Sequence, residues 1–287
     1  MRISPTGRSS NLEDRRGARG FGGGGFGRMG LGGLILVVIL ALVFKQNPLD
    51  LIGAAAGPGG APPAGVEAPV EDAAEEPTVR FLSAVLDSTQ AFWAEAFRRG
   101  GGQYRDAKLV LYRDATATAC GQGRSASGPF YCPGDGNVYV DLGFYDELRD
   151  RFGAPGDFAQ AYVLAHEIGH HAQHLLGTEG QVRQLQRQRP DQANQLSVLM
   201  ELQADCYAGA WGHRAAQQGI LEPGDVEEGL GAAAAVGDDR LQRAQTGTVS
   251  PDAFTHGTSG QRMTWFRRGF DTGNPDACDT FAEFSGG

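Results

Sequence analysis

The stretch VLAHEIGHHAQHLLG, Val163–Gly177, puts four histidines and one glutamate into fifteen positions of a chain that has only six histidines. Apolar residues at Phe158, Tyr162 and Ala165 lead into it at helical spacing. Each helical residue turns about 100°, so His166 and His170 project from one face, one turn apart. Glu167 falls on the neighbouring flank. Two imidazoles that can share a tetrahedral ion, beside a carboxylate that can deprotonate a bound water, make the HExxH arrangement. His171 lies about 140° round from His166 and points elsewhere. His174 repeats the spacing from His170, so His170/His174 is an alternative pair, but no glutamate follows its first histidine. Gly169 costs the helix about 1 kcal/mol against alanine. A close neighbour, or space for metal and substrate, would compensate.

A catalytic zinc needs a third protein ligand and one open position. The cysteines offer no CxxC pair. The better source is LMELQADCYAG, Leu199–Gly209, where Glu201 and Asp205 stand one turn apart in an otherwise apolar helix. Glu201 can ligate. Asp205 can accept a hydrogen bond from the far nitrogen of a ligating histidine, fixing its tautomer.

Outward from this core, the patterns give an α+β order: a small, partly antiparallel sheet first, then mostly helices. A helix is expected from about Val79 to Phe97, a strand at Lys108–Asp114, and a hairpin formed by GPFYC and NVYVDL around PGDG. Helices follow at 143–152, 157–176, 180–187, 193–217, 223–235 and 259–270. The folded domain is expected over 79–287.

The N-terminal part reads differently. Residues 1–28 carry six arginines and a glycine run, which implies a disordered basic tail. Met29–Phe44 is free of charge, and at about 1.5 Å per residue it spans roughly 24 Å, near the lower limit for a transmembrane helix. Residues 45–78, rich in Ala, Pro and Glu, read as a linker. The arginines set the tail in the cytoplasm by the positive-inside rule. The expectation is a single-pass protein of the bacterial inner membrane with its domain periplasmic or extracellular. Signal-peptide cleavage near AAAGPGGA is the competing reading. Four cysteines suit an oxidising exterior. They allow three pairings, of which Cys120–Cys132 and Cys206–Cys278 are expected. The net charge of −9 argues against nucleic acid as a partner.

The segments SSNLEDRRG, GPFYCPGDGNVYVDL, LAHEIGHHAQHLLG, ELQADCYAG and THGTSGQR, in this order, resemble the bacterial membrane-anchored neutral zinc metallopeptidases. HExxH followed by ExxxD is similar to the gluzincins. The resemblance implies a zincin-like domain and one catalytic Zn²⁺ held by His166, His170 and Glu201, with Asp205 behind them. It implies hydrolysis of protein or peptide substrates as a metalloendopeptidase, with Glu167 as general base. His256, with Arg262 after it, is similar to the late histidine and arginine of other membrane-linked metallopeptidases and is the candidate oxyanion stabiliser. The proline usual after that histidine is Gly257 here. Val138, Tyr139 and Val140 are candidates for a strand edge along which an extended substrate lies. The competing functional class is a non-catalytic zinc-binding regulatory or protein-interaction module. A membrane scaffold with a coincidental HExxH is the third.

Overall fold

Leu12–Asp14 forms strand β1 and pairs in parallel with β2, Lys108–Tyr112. The computed structural model describes residues 1–3, 7–17, 73–125 and 128–282. These fall in a unit formed by Met1–Gly17 together with Pro69–Gly287. The N-terminal tail expected to be disordered is therefore corrected over residues 7–17. Charge pairing holds it in place: Asp14 and Arg16, each 4% exposed, meet at 2.6 Å, and Arg16 reaches Glu75 at 2.7 Å. The expected anchor Met29–Phe44 and most of the linker lie outside the described residues. Among the described residues no helix is long and apolar enough to cross a membrane.

Helix α1, Glu76–Arg99, carries Pro77 in its first turn, where a missing N–H costs nothing. The helix thus begins three residues before the expected Val79. After β2 comes a two-stranded hairpin, β3 (Ala115–Thr118) with β4 (Gly121–Arg124), which the patterns did not single out. Strands β5 (Phe130–Cys132) and β6 (Asn137–Asp141) then form the expected antiparallel hairpin. The main sheet has the order β1-β2-β6-β5, with β2 and β6 parallel. Both central strands are buried nearly throughout, as expected of strands covered on two faces.

Helices make up the rest: α2 (Gly143–Asp150), α3 (Asp157–Leu176), α4 (Thr178–Gln188), α5 (Ala193–Gln217), α6 (Asp225–Ala235), α7 (Asp238–Thr246) and α8 (Ser259–Thr272). The histidine helix α3 is central. It packs on α1, α5 and α6 and touches β5 and β6, so most of its length is buried. Phe158 stacks on Trp211 with centroids 6.0 Å apart, and Tyr162 meets Phe266 edge-on at 5.6 Å. Helices α5 and α8 touch backbone to backbone. A Cβ at Gly209 would sit 2.0 Å from the Phe266 carbonyl oxygen, and one at Gly269 would sit 1.8 Å from that of Cys206.

Both expected disulfides are present. Cys120–Cys132 ties the β3–β4 hairpin to β5, and Cys206–Cys278 ties α5 to the C-terminal segment.

Candidate metal centre and cleft

Three donor groups converge where α3 faces α5. The Nε2 atoms of His166 and His170 are 3.1 Å apart. Glu201 offers one carboxylate oxygen 3.2 Å from the first and another 3.4 Å from the second. Zinc–nitrogen bonds of about 2.0–2.1 Å at a tetrahedral angle place two nitrogens about 3.3 Å apart. The donor set and its spacing therefore fit a zinc ion with a position left for a further ligand.

Each histidine is turned so that Nε2 faces the other donors. The Nδ1–H of His166 donates to Asp205 Oδ1 at 2.9 Å. That of His170 donates to Gln173 Oε1 at 2.8 Å. Gln173 is fully buried, and its amide donates in turn to the Met200 carbonyl at 2.8 Å and to Gln203 Oε1 at 3.0 Å. Sequence reasoning assigned Asp205 to this orienting work but missed Gln173. A glutamine in a helix carries no signal until its burial is known.

Asp205 is fully buried and collects four donors. Arg262 donates through Nε and Nη2 at 2.8 Å each, Tyr162 through its hydroxyl at 2.5 Å, and His166 at 2.9 Å. Burial opposes its ionisation, but the Arg262 charge and these bonds outweigh it and hold the carboxyl below the usual aspartate range. Around the two imidazoles the balance runs the other way. Burial disfavours a charged His166, yet Asp205 and Glu201 lift it to about 10. His170 is raised too, Glu201 outweighing burial. Glu201 is held well below the carboxylate range by the two histidines, against its own burial. The pocket thus favours positive charge at the point where the three donors meet.

Gly169 has the close neighbour that its position in the helix calls for. A Cβ there would lie 3.3 Å from Cα and O of Ala204, so the missing side chain lets α3 and α5 approach at the level of the ligands. His171 turns to the other side of α3, accepting from the Tyr131 hydroxyl at 3.0 Å and donating to the Arg105 carbonyl at 2.6 Å. His174 pairs with Glu179 at 2.8 Å, so the alternative pair His170/His174 is not assembled.

The donors open into a cleft of about 590 Å³. Glu167 and His256 line it together with the ligands, as do Phe130 and Tyr131 of β5. Asp238 accepts the N–H groups of Thr255, His256 and Gly257 and lies 3.1 Å from the His256 ring. Gly257 has φ 86°, which proline cannot adopt, and this accounts for the departure from the proline pattern. Arg262, noted in the sequence only as following His256, is buried and joined to Asp205.

The proposed edge at Val138, Tyr139 and Val140 is corrected. These residues form the middle of β6, flanked by β2 and β5, and are at most 1% exposed. The strand at the cleft-side edge is β5.

A second acidic cluster, Asp157, Asp225 and Glu228, has donor atoms close enough for an ion. The Met1 ammonium already lies 2.6 Å from Asp157 and 3.4 Å from Asp225.

The family described as "Putative neutral zinc metallopeptidase" matches residues 1–281. The uncharacterized protein YpfJ of Escherichia coli (strain K12) is 51% identical over 283 residues, 96% of each chain. The uncharacterized protein Rv2575 of Mycobacterium tuberculosis (strain H37Rv) is 44% identical over 190 residues, 62% of this chain and 64% of that one. No solved structure matches. The chain belongs to the neutral zinc metallopeptidase family.

Proposed function

We propose that the protein is a zinc-dependent peptidase that hydrolyses peptide bonds of proteins or peptides outside the cytoplasm. The observation that carries this is the convergence of His166, His170 and Glu201 at the floor of a cleft whose wall includes Glu167. When bound, zinc supplies Lewis acidity at a carbonyl and lowers the pKa of water towards about 7. Glu167 takes the proton from the attacking water and returns it to the leaving amine. His256, held by Asp238, donates to the oxygen that becomes negative as the carbonyl is attacked. Asp205 and Gln173 keep the two ligand rings in the tautomer that presents Nε2.

The β5 edge supports an extended peptide as substrate. It lies on the cleft, and among the described residues no strand pairs with its outer side, so its backbone groups suit an added chain. The two disulfides support an oxidising compartment.

Glu167→Gln tests the reading directly. Purified protein should bind one zinc, cleave members of a mixed peptide library, and lose cleavage but not zinc on this substitution. Glu201→Ala should lose zinc. Zinc-loaded protein that cleaves nothing in the library would leave the non-catalytic module as the better description.

A further inference from the structure

The N-terminal residues and the zinc domain form one body, and this bears on how the chain meets a membrane. Three separate sets of contacts hold the N-terminus. In the sheet, Arg15 N–H donates to the Leu111 carbonyl at 2.7 Å and Leu109 N–H to the Asn11 carbonyl at 2.9 Å. At the start of α1, Arg8 joins Glu76 at 2.5 Å and Asp14 at 3.1 Å. At the start of α3, the Met1 ammonium meets Asp157. Arg16 and Glu75 also meet, at 2.7 Å, so the described residues on the two sides of 18–72 lie next to one another.

Between those points the sequence has one strongly apolar run, Met29–Phe44, sixteen residues long. A single crossing would put residues 1–17 and the domain on opposite faces of the bilayer, where none of these contacts can form. Two crossings need two apolar runs of roughly 20 residues each. Residues 45–72 hold Lys45, Asp50, Glu67, Glu71 and Asp72, with prolines at 48, 58, 62, 63 and 69, and supply no second one.

We infer that residues 1–17 and the zinc domain lie on the same side of any membrane the chain meets, and that any membrane attachment is made from that side, to the lipid face the cleft-bearing domain shares. It differs from the single-pass arrangement expected from the sequence, in which the N-terminus is cytoplasmic and the domain lies outside.

The test uses two full-length variants, Ser10→Cys and Ser250→Cys. Both positions are exposed, and the native cysteines are all paired. Spheroplasts expressing each are treated with a membrane-impermeant maleimide, before and after permeabilisation, with a cytosolic thiol protein as leakage control. Equal ratios of intact to permeabilised labelling support the inference. If both sites label in intact spheroplasts, the compartment proposed above also holds. If both are protected, the shared side stands and the exported location falls. Labelling of Ser250→Cys with protection of Ser10→Cys, or the reverse, overturns the inference. Hydrogen exchange on the purified full chain is the second measurement. Amides of Leu12–Arg15 should exchange at least tenfold more slowly than an unstructured peptide, and free exchange there would overturn the docking itself.

Discussion

Arg262 holds Asp205 through two parallel bonds of 2.8 Å, and both side chains are buried. Because Asp205 also fixes His166, the arginine acts on the metal site at one remove. Arg262→Lys keeps the charge and loses the planar fork. Zinc affinity, measured against a competing chelator, should fall roughly 10–100-fold, the usual cost of disturbing a partner of a metal ligand. Arg262→Ala strands a buried carboxylate and should cost about 3–5 kcal/mol in urea unfolding.

Gln173 gives the matching case on His170. Gln173→Leu removes the acceptor of the His170 Nδ1–H and frees that ring to flip or change tautomer. Zinc affinity should drop about tenfold. Unchanged affinity would mean that packing alone orients His170.

The two adjacent histidines should separate cleanly. His171→Leu leaves the Arg105 carbonyl and the Tyr131 hydroxyl without their partner, which costs about 1–3 kcal/mol in stability, with zinc content unchanged. His170→Leu should do the reverse, with metal lost and the unfolding midpoint of the metal-free protein little altered.

Docking of the N-terminal arm should depend on pH. Hydrogen bonds from Arg8 and then Arg80 hold Glu76 down from 4.5 to about 2. Asp14 is also lowered, its bonds to Arg16 outweighing burial. A depressed folded-state pKa stabilises fully above the unfolded value and is lost as pH falls through the folded one. Amide protection of Leu12–Arg15 should therefore hold above pH 4.5 and decline between 4.5 and about 2. Arg8→Ala should weaken that dependence.

The Cys206–Cys278 bridge closes a loop with a sequence separation of 72. In the chain-entropy description its removal costs about 4 kcal/mol. Cys206→Ala with Cys278→Ala should lower the urea midpoint accordingly.

Most of the metal centre could be read from the sequence because it is written at helical spacing. HExxH and ExxxD each place two groups one turn apart, and only the meeting of the two helices had to be supplied. The β5–β6 hairpin was legible for the same reason, through a local turn. Strand order was not. Nothing in NVYVD says that FYC will lie outside it, so the edge was assigned to the wrong strand of a correctly found hairpin. Strand β1 was hidden more deeply. Leu12-Glu13-Asp14 has one apolar residue, its partner strand begins at Lys108, and its support comes from ion pairs with Glu75 and Glu76. Such long-range charge pairing leaves no periodicity, and the same six arginines suggest a solvated tail. The polar helix α7 escaped likewise, having little apolar face to reveal it.

The contacts that join α3 to α5 beside the ligands are made by the protein's own groups: Gly169 lies on Ala204, and the Gln173 amide reaches the carbonyl of Met200, the residue before Glu201. The ligands are therefore set by the join between the helices and not by the ion. Folding does not wait for the ion, and metal loading follows it as a separate event. Chelation should leave a folded protein that takes zinc up again without refolding, its circular dichroism unchanged throughout.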